Sequence, residues 1–152
     1  VCIDPKPARR LKMKGCALLT PNRKEAFEMA GMADEPVGSD PSSHPRLIKA
    51  ITAIRREHAP ACLLVTLGEA GMLIQEGNAA PKHLPTTARD VFDVSGAGDT
   101  VIATFALARA AGADAVQAAA LANYAAGVVV GKLGAATVAP AELAERINSV
   151  NP

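Results

Sequence analysis

Tryptophan is absent from this chain and aromatic residues are few, with one Tyr and three Phe among 152 residues. A core of ordinary size must therefore be built from Ala, Val, Leu and Ile, and a hydrophobic share of 49% supplies them. Charge of one sign is also missing. With 16 Lys and Arg against 15 Asp and Glu, the formal net charge is +1. No basic patch suggests a nucleic-acid partner and no like-charge block suggests an interaction tail. Cysteine is sparse: Cys2, Cys16 and Cys62 stand singly beside apolar residues. That spacing excludes a disulfide framework or a zinc site and predicts reduced core thiols in a cytoplasmic protein. His44, His58 and His83 share no ligand spacing with one another or with a cysteine. No apolar run approaches the roughly 20 residues that span a bilayer. The longest, over 115–130, is interrupted by Gln117, Asn123 and Tyr124 and reads as a helix buried in protein, so no membrane partner is expected. The opening Val1-Cys2-Ile3-Asp4 carries neither a basic n-region nor a cleavage site, and reads as a strand already under way. It predicts a fragment of a longer protein or an incompletely ordered chain.

What is present is an alternation of strand-like and helix-like segments. The apolar run 1–4 ends in Asp-Pro, as a buried strand meets its exit loop. Lys6 lies just beyond it, where ligands gather in open α/β sheets; Arg9, Arg10, Lys12 and Lys14 continue as a solvated surface. Residues 16–19 form a second short strand. Thr20-Pro21 predicts a helix start, with Thr as N-cap and Pro at the first helical position, and Gly31 stops that helix. Asn22 and Glu25 are three apart and share a face, which suits a solvated first turn with Glu favoured by the helix dipole.

A polar connection leads to Ser43 or His44 and then Pro45, where a helix opens with Leu47, Ile48, Ile51 and Ile54 on one face. Residues 61–66 read as a continuous apolar strand in the middle of a parallel sheet. Thr66, Gly68 and Gly71 mark a turn into the strand 72–75, and 79–84 is an edge strand to which Pro81 is suited. Two long helices follow. The first carries Val101, Ile102, Phe105, Leu107 and Ala108 and stops at Gly112; the second opens on an Asp114/Gln117 capping box. A last helix covers 141–147. This alternation predicts an α/β fold, a three-layer αβα sandwich with a mainly parallel sheet. No nucleotide-binding P-loop exists: Gly127 to Gly131-Lys132-Leu133 has one residue too few between its glycines, and Leu stands where Ser or Thr is required.

The stretch that organises the chain runs from Asp90 to Thr100, through Asp93-Val94-Ser95-Gly96-Ala97-Gly98-Asp99. It reads as a short β-like piece, a tight Gly-Ala-Gly turn and a helix. Two glycines allow a sharp turn and close approach of a ligand. The amides of the turn and first helical turn lack partners inside the helix and sit at its positive end, which makes a seat for phosphate. Asp99 has two readings here, a helix N-cap or a general base beside an anion hole.

The seven residues from Asp93 to Asp99 resemble the signature of the ribokinase-like (PfkB) carbohydrate kinases, an Asp-x-Thr/Ser-Gly-Ala-Gly-Asp run that precedes a helix. The resemblance implies that Asp99 takes the proton of a sugar hydroxyl while the amides of Gly96, Ala97 and Gly98 hold the phosphoryl group. Asp93 would shape the motif or tune a metal. Asn22-Arg23-Lys24-Glu25 is similar to the family's second motif. That likeness implies that Asn22 and Glu25 organise Mg²⁺, water and nucleotide phosphates, with Arg23 and Lys24 along the nucleotide. Thr66, Gly68 and Gly71 resemble the family's nucleotide-side loop, and Asn123 falls on a helix that often lines its adenine pocket. ATP and Mg²⁺ are thus the implied cofactors.

Three further stretches, Val1 to Lys6, Leu18 to Glu25 and Ala126 to Gly134, resemble the heptose-phosphate kinase branch of this family. The chain would then be the C-terminal half of a ribokinase-like kinase domain, 1–152, and the fold an incomplete one. The implied partner is a sugar phosphate, D-glycero-D-manno-heptose 7-phosphate, phosphorylated at its anomeric hydroxyl on the route to ADP-heptose and the lipopolysaccharide core. The resemblance also allows a homodimer and a fused or separate nucleotidyltransferase domain. It places most sugar contacts and a β lid upstream, so this piece alone is expected to be inactive. Pro7, where those relatives carry Gly, and Ser95, where Thr is commoner, depart from the pattern. A kinase for fructose 6-phosphate or tagatose 6-phosphate, and a non-catalytic nucleotide-binding module, remain open readings.

Overall fold

In a computed structural model, residues 1–6, 13–88 and 91–150 are described. Pro7, Arg9, Arg10, Lys12 and Asp90 lie outside the described residues. The chain divides into two compact units, Val1–Pro85 and Thr86–Pro152.

The first unit carries a sheet of five strands in the order β1 (Cys2–Ile3), β2 (Leu18–Leu19), β3 (Cys62–Thr66), β4 (Met72–Glu76) and β5 (Lys82–Leu84). The β1–β2 and β2–β3 pairs are parallel, with Ile3 opposite Leu19 and Leu19 opposite Leu63. The β3–β4 and β4–β5 pairs are antiparallel, with Leu64 opposite Ile74 and Leu73 opposite His83. The described sheet is therefore mixed where the alternation of segments predicted a mainly parallel one. The reason is connection length. A parallel crossover needs about a dozen residues or more, and the short link from Thr66 to Met72 permits only a hairpin. β3 still lies in mid-sheet, and Cys62 to Val65 are buried on both faces, as its unbroken apolar run predicts.

Helices α1 (Arg23–Met29) and α2 (Pro45–His58) connect β2 to β3 and pack on each other. Their inward faces, Ala26 and Phe27 from α1 and Leu47, Ala50, Ile51 and Ile54 from α2, join Leu19, Leu63, Val65 and Leu73 of the sheet in one core. Phe27, with no exposed surface, is the largest single contributor; cutting it to Ala would cost about 3–5 kcal/mol. His44 caps α2 by accepting the Leu47 amide on Nδ1 at 3.3 Å. Cys16 and Cys62 are buried, and burial raises the Cys16 thiol above its ordinary pKa. Cys2 is exposed, so the core-thiol expectation fails there: it sits on the two-residue outermost strand, β1.

The second unit is helical. α3 (Ala97–Ala110) packs against α4 (Ala115–Val129), and α4 against α5 (Pro140–Val150). Asp114 and Gln117 form the expected capping box at the start of α4. Ala118, Ala119, Ala122 and Ala125 are fully buried, small residues that bring neighbouring backbones close. Of the apolar residues on α3, Val101, Phe105 and Ala108 are buried while Leu107 is 72% exposed. The closest approach is at Gly127, where an added Cβ would lie 2.9 Å from Thr87 Oγ1. That hydroxyl donates to the Asn123 carbonyl at 3.1 Å, and Arg146 Nη2 donates to the Thr87 carbonyl. Among the described residues no helix is long and apolar enough to cross a membrane.

Candidate active site

Asn22, Glu25, Lys6 and Thr66 meet at the C-terminal ends of the three parallel strands of the first unit. Lys6 follows β1, Asn22 follows β2 and Thr66 ends β3. Asn22 and Thr66 form a parallel bridge, and the Thr66 amide donates to the Pro21 carbonyl at 3.1 Å. The cap of α1 is Asn22 and not Thr20 as the Thr-Pro pair predicts. Thr20 is drawn into the sheet end instead, its amide and hydroxyl both donating to Ile3 O, at 3.0 and 3.3 Å. Asn22 Oδ1 accepts the Glu25 amide at 2.9 Å and Glu25 Oε2 accepts the Asn22 amide at 2.8 Å, a reciprocal capping box. The first turn is thus a capping box and not the solvated turn that the Asn-x-x-Glu spacing suits, with the Glu25 side chain only 13% exposed. It leaves Glu25 Oε1 facing Lys6 Nζ at 3.2 Å, while Lys6 Nζ also donates to Asp4 Oδ2 at 2.7 Å. The Asp4 bond raises the Lys6 pKa most, burial opposes it, and the Glu25 bond adds a smaller rise. Asp4 carried no sequence signal beyond its place at the end of the first strand.

Arg23 points away from this pair. Its guanidinium makes a two-pronged bond to Asp34, at 2.9 and 3.0 Å, which raises the Arg23 pKa and lowers that of Asp34. Lys24 is exposed and adds to the positive field at Asp34. Gly68 and Gly71 shape the β3–β4 connection. Gly71 adopts φ 84° and ψ −125°, a conformation open in practice only to glycine, and its carbonyl accepts the Leu67 amide at 2.8 Å. The hairpin alone accounts for that glycine. His83 Nε2 lies 2.6 Å from the Ala70 carbonyl and holds the connection to β5.

In the second unit the residues before the helix are irregular and not the β-like piece expected. The Phe92 and Asp93 amides both donate to the Val130 carbonyl, at 2.8 and 3.2 Å, and so occupy an acceptor at the end of α4 instead of a strand neighbour. Asp93 Oδ1 accepts the Ser95 amide at 2.8 Å and Oδ2 the Gly134 amide at 3.1 Å, with the Ser95 bonds foremost in lowering its pKa. Gly96 is the N-cap of α3 at φ 80°. Asp99 is thus the third helical residue and not the cap; α3 has no side-chain cap bond, and the Asp99 carboxylate has no partner among the described residues. The Ala97 amide donates to the Val94 carbonyl at 3.2 Å, while those of Gly96, Gly98 and Asp99 have no acceptor among the described residues. Gly98 is helical with open space where a Cβ would project. Nothing among the described residues requires glycine there, and an anion seated over the helix start would. Asn123 is 6% exposed on α4 and presents little surface to a ligand.

The donor chemistry suits the implied groups. Asn22 and Glu25 offer hard oxygens, and Mg²⁺ is commonly held by one or two carboxylates together with substrate phosphates and water, not by a protein cage. Among the described residues no group of three or more His, Cys, Asp or Glu is arranged to hold a metal by itself.

Residues 1–142 match the pfkB family of carbohydrate kinases, and the chain belongs to that family. It is 46% identical over 150 residues to the bifunctional protein HldE of Pelobacter propionicus, covering 99% of this chain and 29% of that protein. It is 50% identical over 143 residues to the bifunctional protein HldE of Halorhodospira halophila, covering 94% of this chain and 28% of that one. The chain thus spans under a third of the length of these relatives. Among solved structures it resembles Arabidopsis thaliana ribokinase complexed with ribose and ATP, with TM-score 0.74 and 25% identity over 86% of this chain and 40% of that one. It also resembles Escherichia coli phosphofructokinase-2, with TM-score 0.74 and 17% identity over 91% of this chain and 42% of that one. The fold is an incomplete ribokinase-like α/β fold, its mixed sheet flanked by helices.

Proposed function

We propose that the protein containing this chain is an ATP-dependent sugar kinase that phosphorylates D-glycero-D-manno-heptose 7-phosphate at the anomeric hydroxyl. Residues 1–152 would be the C-terminal part of its kinase domain. The observation that carries this reading is the Asp99 carboxylate beside the amides of Gly96, Gly98 and Asp99 at the start of α3, none of which has a partner among the described residues. Phosphoryl transfer needs positioning and charge stabilisation more than covalent work by the protein. Asp99 accepts the proton of the attacking hydroxyl, whose oxygen bonds to the γ-phosphorus of ATP as ADP departs. The free amides hold the equatorial oxygens as their charge grows. Asn22 and Glu25 would hold Mg²⁺ through water and nucleotide phosphates; the ion would supply neutralisation of the phosphate charge. Thr66, beside Asn22, would complete the nucleotide side.

The level of identity to bifunctional HldE proteins supports heptose phosphate as the acceptor, ADP-heptose and lipopolysaccharide core synthesis as the setting, the cytoplasm as the location, and a nucleotidyltransferase domain as a companion. The test is a substrate panel on the full-length protein with ATP and Mg²⁺, followed by ³¹P NMR. Transfer to heptose 7-phosphate in preference to fructose 6-phosphate and tagatose 6-phosphate is expected. Preference for either hexose phosphate, or nucleotide binding without transfer to any of the three, would overturn the reading.

A further inference from the structure

Glu25 is the most withdrawn member of the charged group at the strand ends. Its side chain is 13% exposed, against 29% for Asp4 and 56% for Lys6. Both of its oxygens are engaged, Oε2 by the Asn22 amide at 2.8 Å and Oε1 by Lys6 Nζ at 3.2 Å. A carboxylate partly withdrawn from water gains from a compensating cation, and the Lys6 ammonium supplies it while bonding Asp4 Oδ2 at 2.7 Å. One ammonium shared by two carboxylates occupies the electrostatic position of a metal ion. It is carried on the most exposed and flexible stem of the three, so it can leave without disturbing the core.

We propose that Lys6 is a positioning residue and built-in counter-ion for Glu25: it holds the carboxylate in its capping rotamer and competes with a divalent cation for Oε1. This rests on the reading of Asn22 and Glu25 as the metal- and phosphate-organising pair. Removing the ammonium leaves two unneutralised carboxylates and strengthens cation binding; moving it aside is part of loading the site.

Mn²⁺ binding to the nucleotide-free full-length protein, followed by electron paramagnetic resonance, tests this in wild type, Lys6→Met and Lys6→Arg. Lys6→Met should bind Mn²⁺ about three- to tenfold more tightly, as expected for loss of two partly exposed charge pairs. Lys6→Arg, which restores the charge, should return to within about twofold of wild type, a rescue that loss of packing would not produce. Unchanged or weaker binding in Lys6→Met overturns the proposal, as does an Arg variant that behaves like the Met variant. Phosphoryl transfer measured on the same preparations separates the two readings. Tighter Mn²⁺ binding in Lys6→Met without transfer by wild type upholds the counter-ion and removes the kinase. Transfer by wild type with Mn²⁺ affinity indifferent to Lys6 does the reverse.

Discussion

Asp93 Oδ2 accepts the backbone amide of Gly134 at 3.1 Å, across 41 residues of sequence. The bond ties the segment leading into α3 to the loop that leaves α4. With the Ser95 amide on Oδ1 at 2.8 Å, one carboxylate shapes the turn and anchors its neighbour. Asp93 thus has a shaping part in this turn.

The Ser95 and Gly134 bonds hold the Asp93 carboxyl below its ordinary pKa of 3.8. A depressed folded-state value means the stabilisation is complete above the ordinary value and is lost as pH falls through the folded one. Carboxyl ¹³C NMR should place the Asp93 midpoint below 3.8, with the Ser95 and Gly134 amide shifts following the same curve. A midpoint at or above the ordinary value would remove the anchor.

Asp99→Asn in the full-length protein should lower phosphoryl transfer by about 10²–10⁴-fold, the usual contribution of a general base. Nucleotide affinity should change little. Stability should stay within about 0.5 kcal/mol by denaturant melting, because the side chain caps nothing. In Asp99→Ala, which unlike Asn cannot cap, a loss near 1 kcal/mol, typical of a removed N-cap, would restore the capping role.

The two glycines of the turn should answer in opposite directions. Gly96→Ala forces an L side chain into φ 80° and should cost about 1–2 kcal/mol. Gly98→Ala adds a helix-favouring methyl in open space and should stabilise by up to ~1 kcal/mol, yet slow transfer by roughly tenfold or more as the methyl intrudes on the phosphate seat. Paired melting and rate measurements check this; a Gly98→Ala enzyme of normal rate would leave that glycine unexplained.

Asn22 serves a cap and, on the proposed reading, a nucleotide site; two variants separate them. Asn22→Ala should cost about 1 kcal/mol, and Asn22→Ser almost nothing, since Ser caps as well as Asn. Both should weaken Mg²⁺–ATP binding. Full binding in Asn22→Ser would mean that the residue is a cap and no more.

Much of this was legible in the sequence because it depends on near neighbours. The Asp114/Gln117 box, the α2 start before Pro45 and the inward face of Leu47, Ile51 and Ile54 all follow from spacing of three or four residues. Thr20-Pro21 is a good local start for a helix, yet α1 is capped by Asn22. What overrules it is remote: Ile3 O takes the Thr20 amide and hydroxyl, leaving Asn22 to begin the helix. The mixed sheet was legible in principle, since the link between β3 and β4 is too short for a crossover, but a pattern of alternating segments does not weigh connection length.

By itself the sequence determined the α/β character, the glycine turn before a helix and the Asn-x-x-Glu pair, since these rest on periodicity, backbone freedom and reach along one helix. Only the tertiary structure decided how the carboxylates are employed. Glu25 is held by Lys6 and Asn22, Asp93 by Ser95 and Gly134, and Asp99 by nothing among the described residues. A carboxylate's role is set by the donors that surround it in space, and those donors lie as many as 41 residues away in the chain.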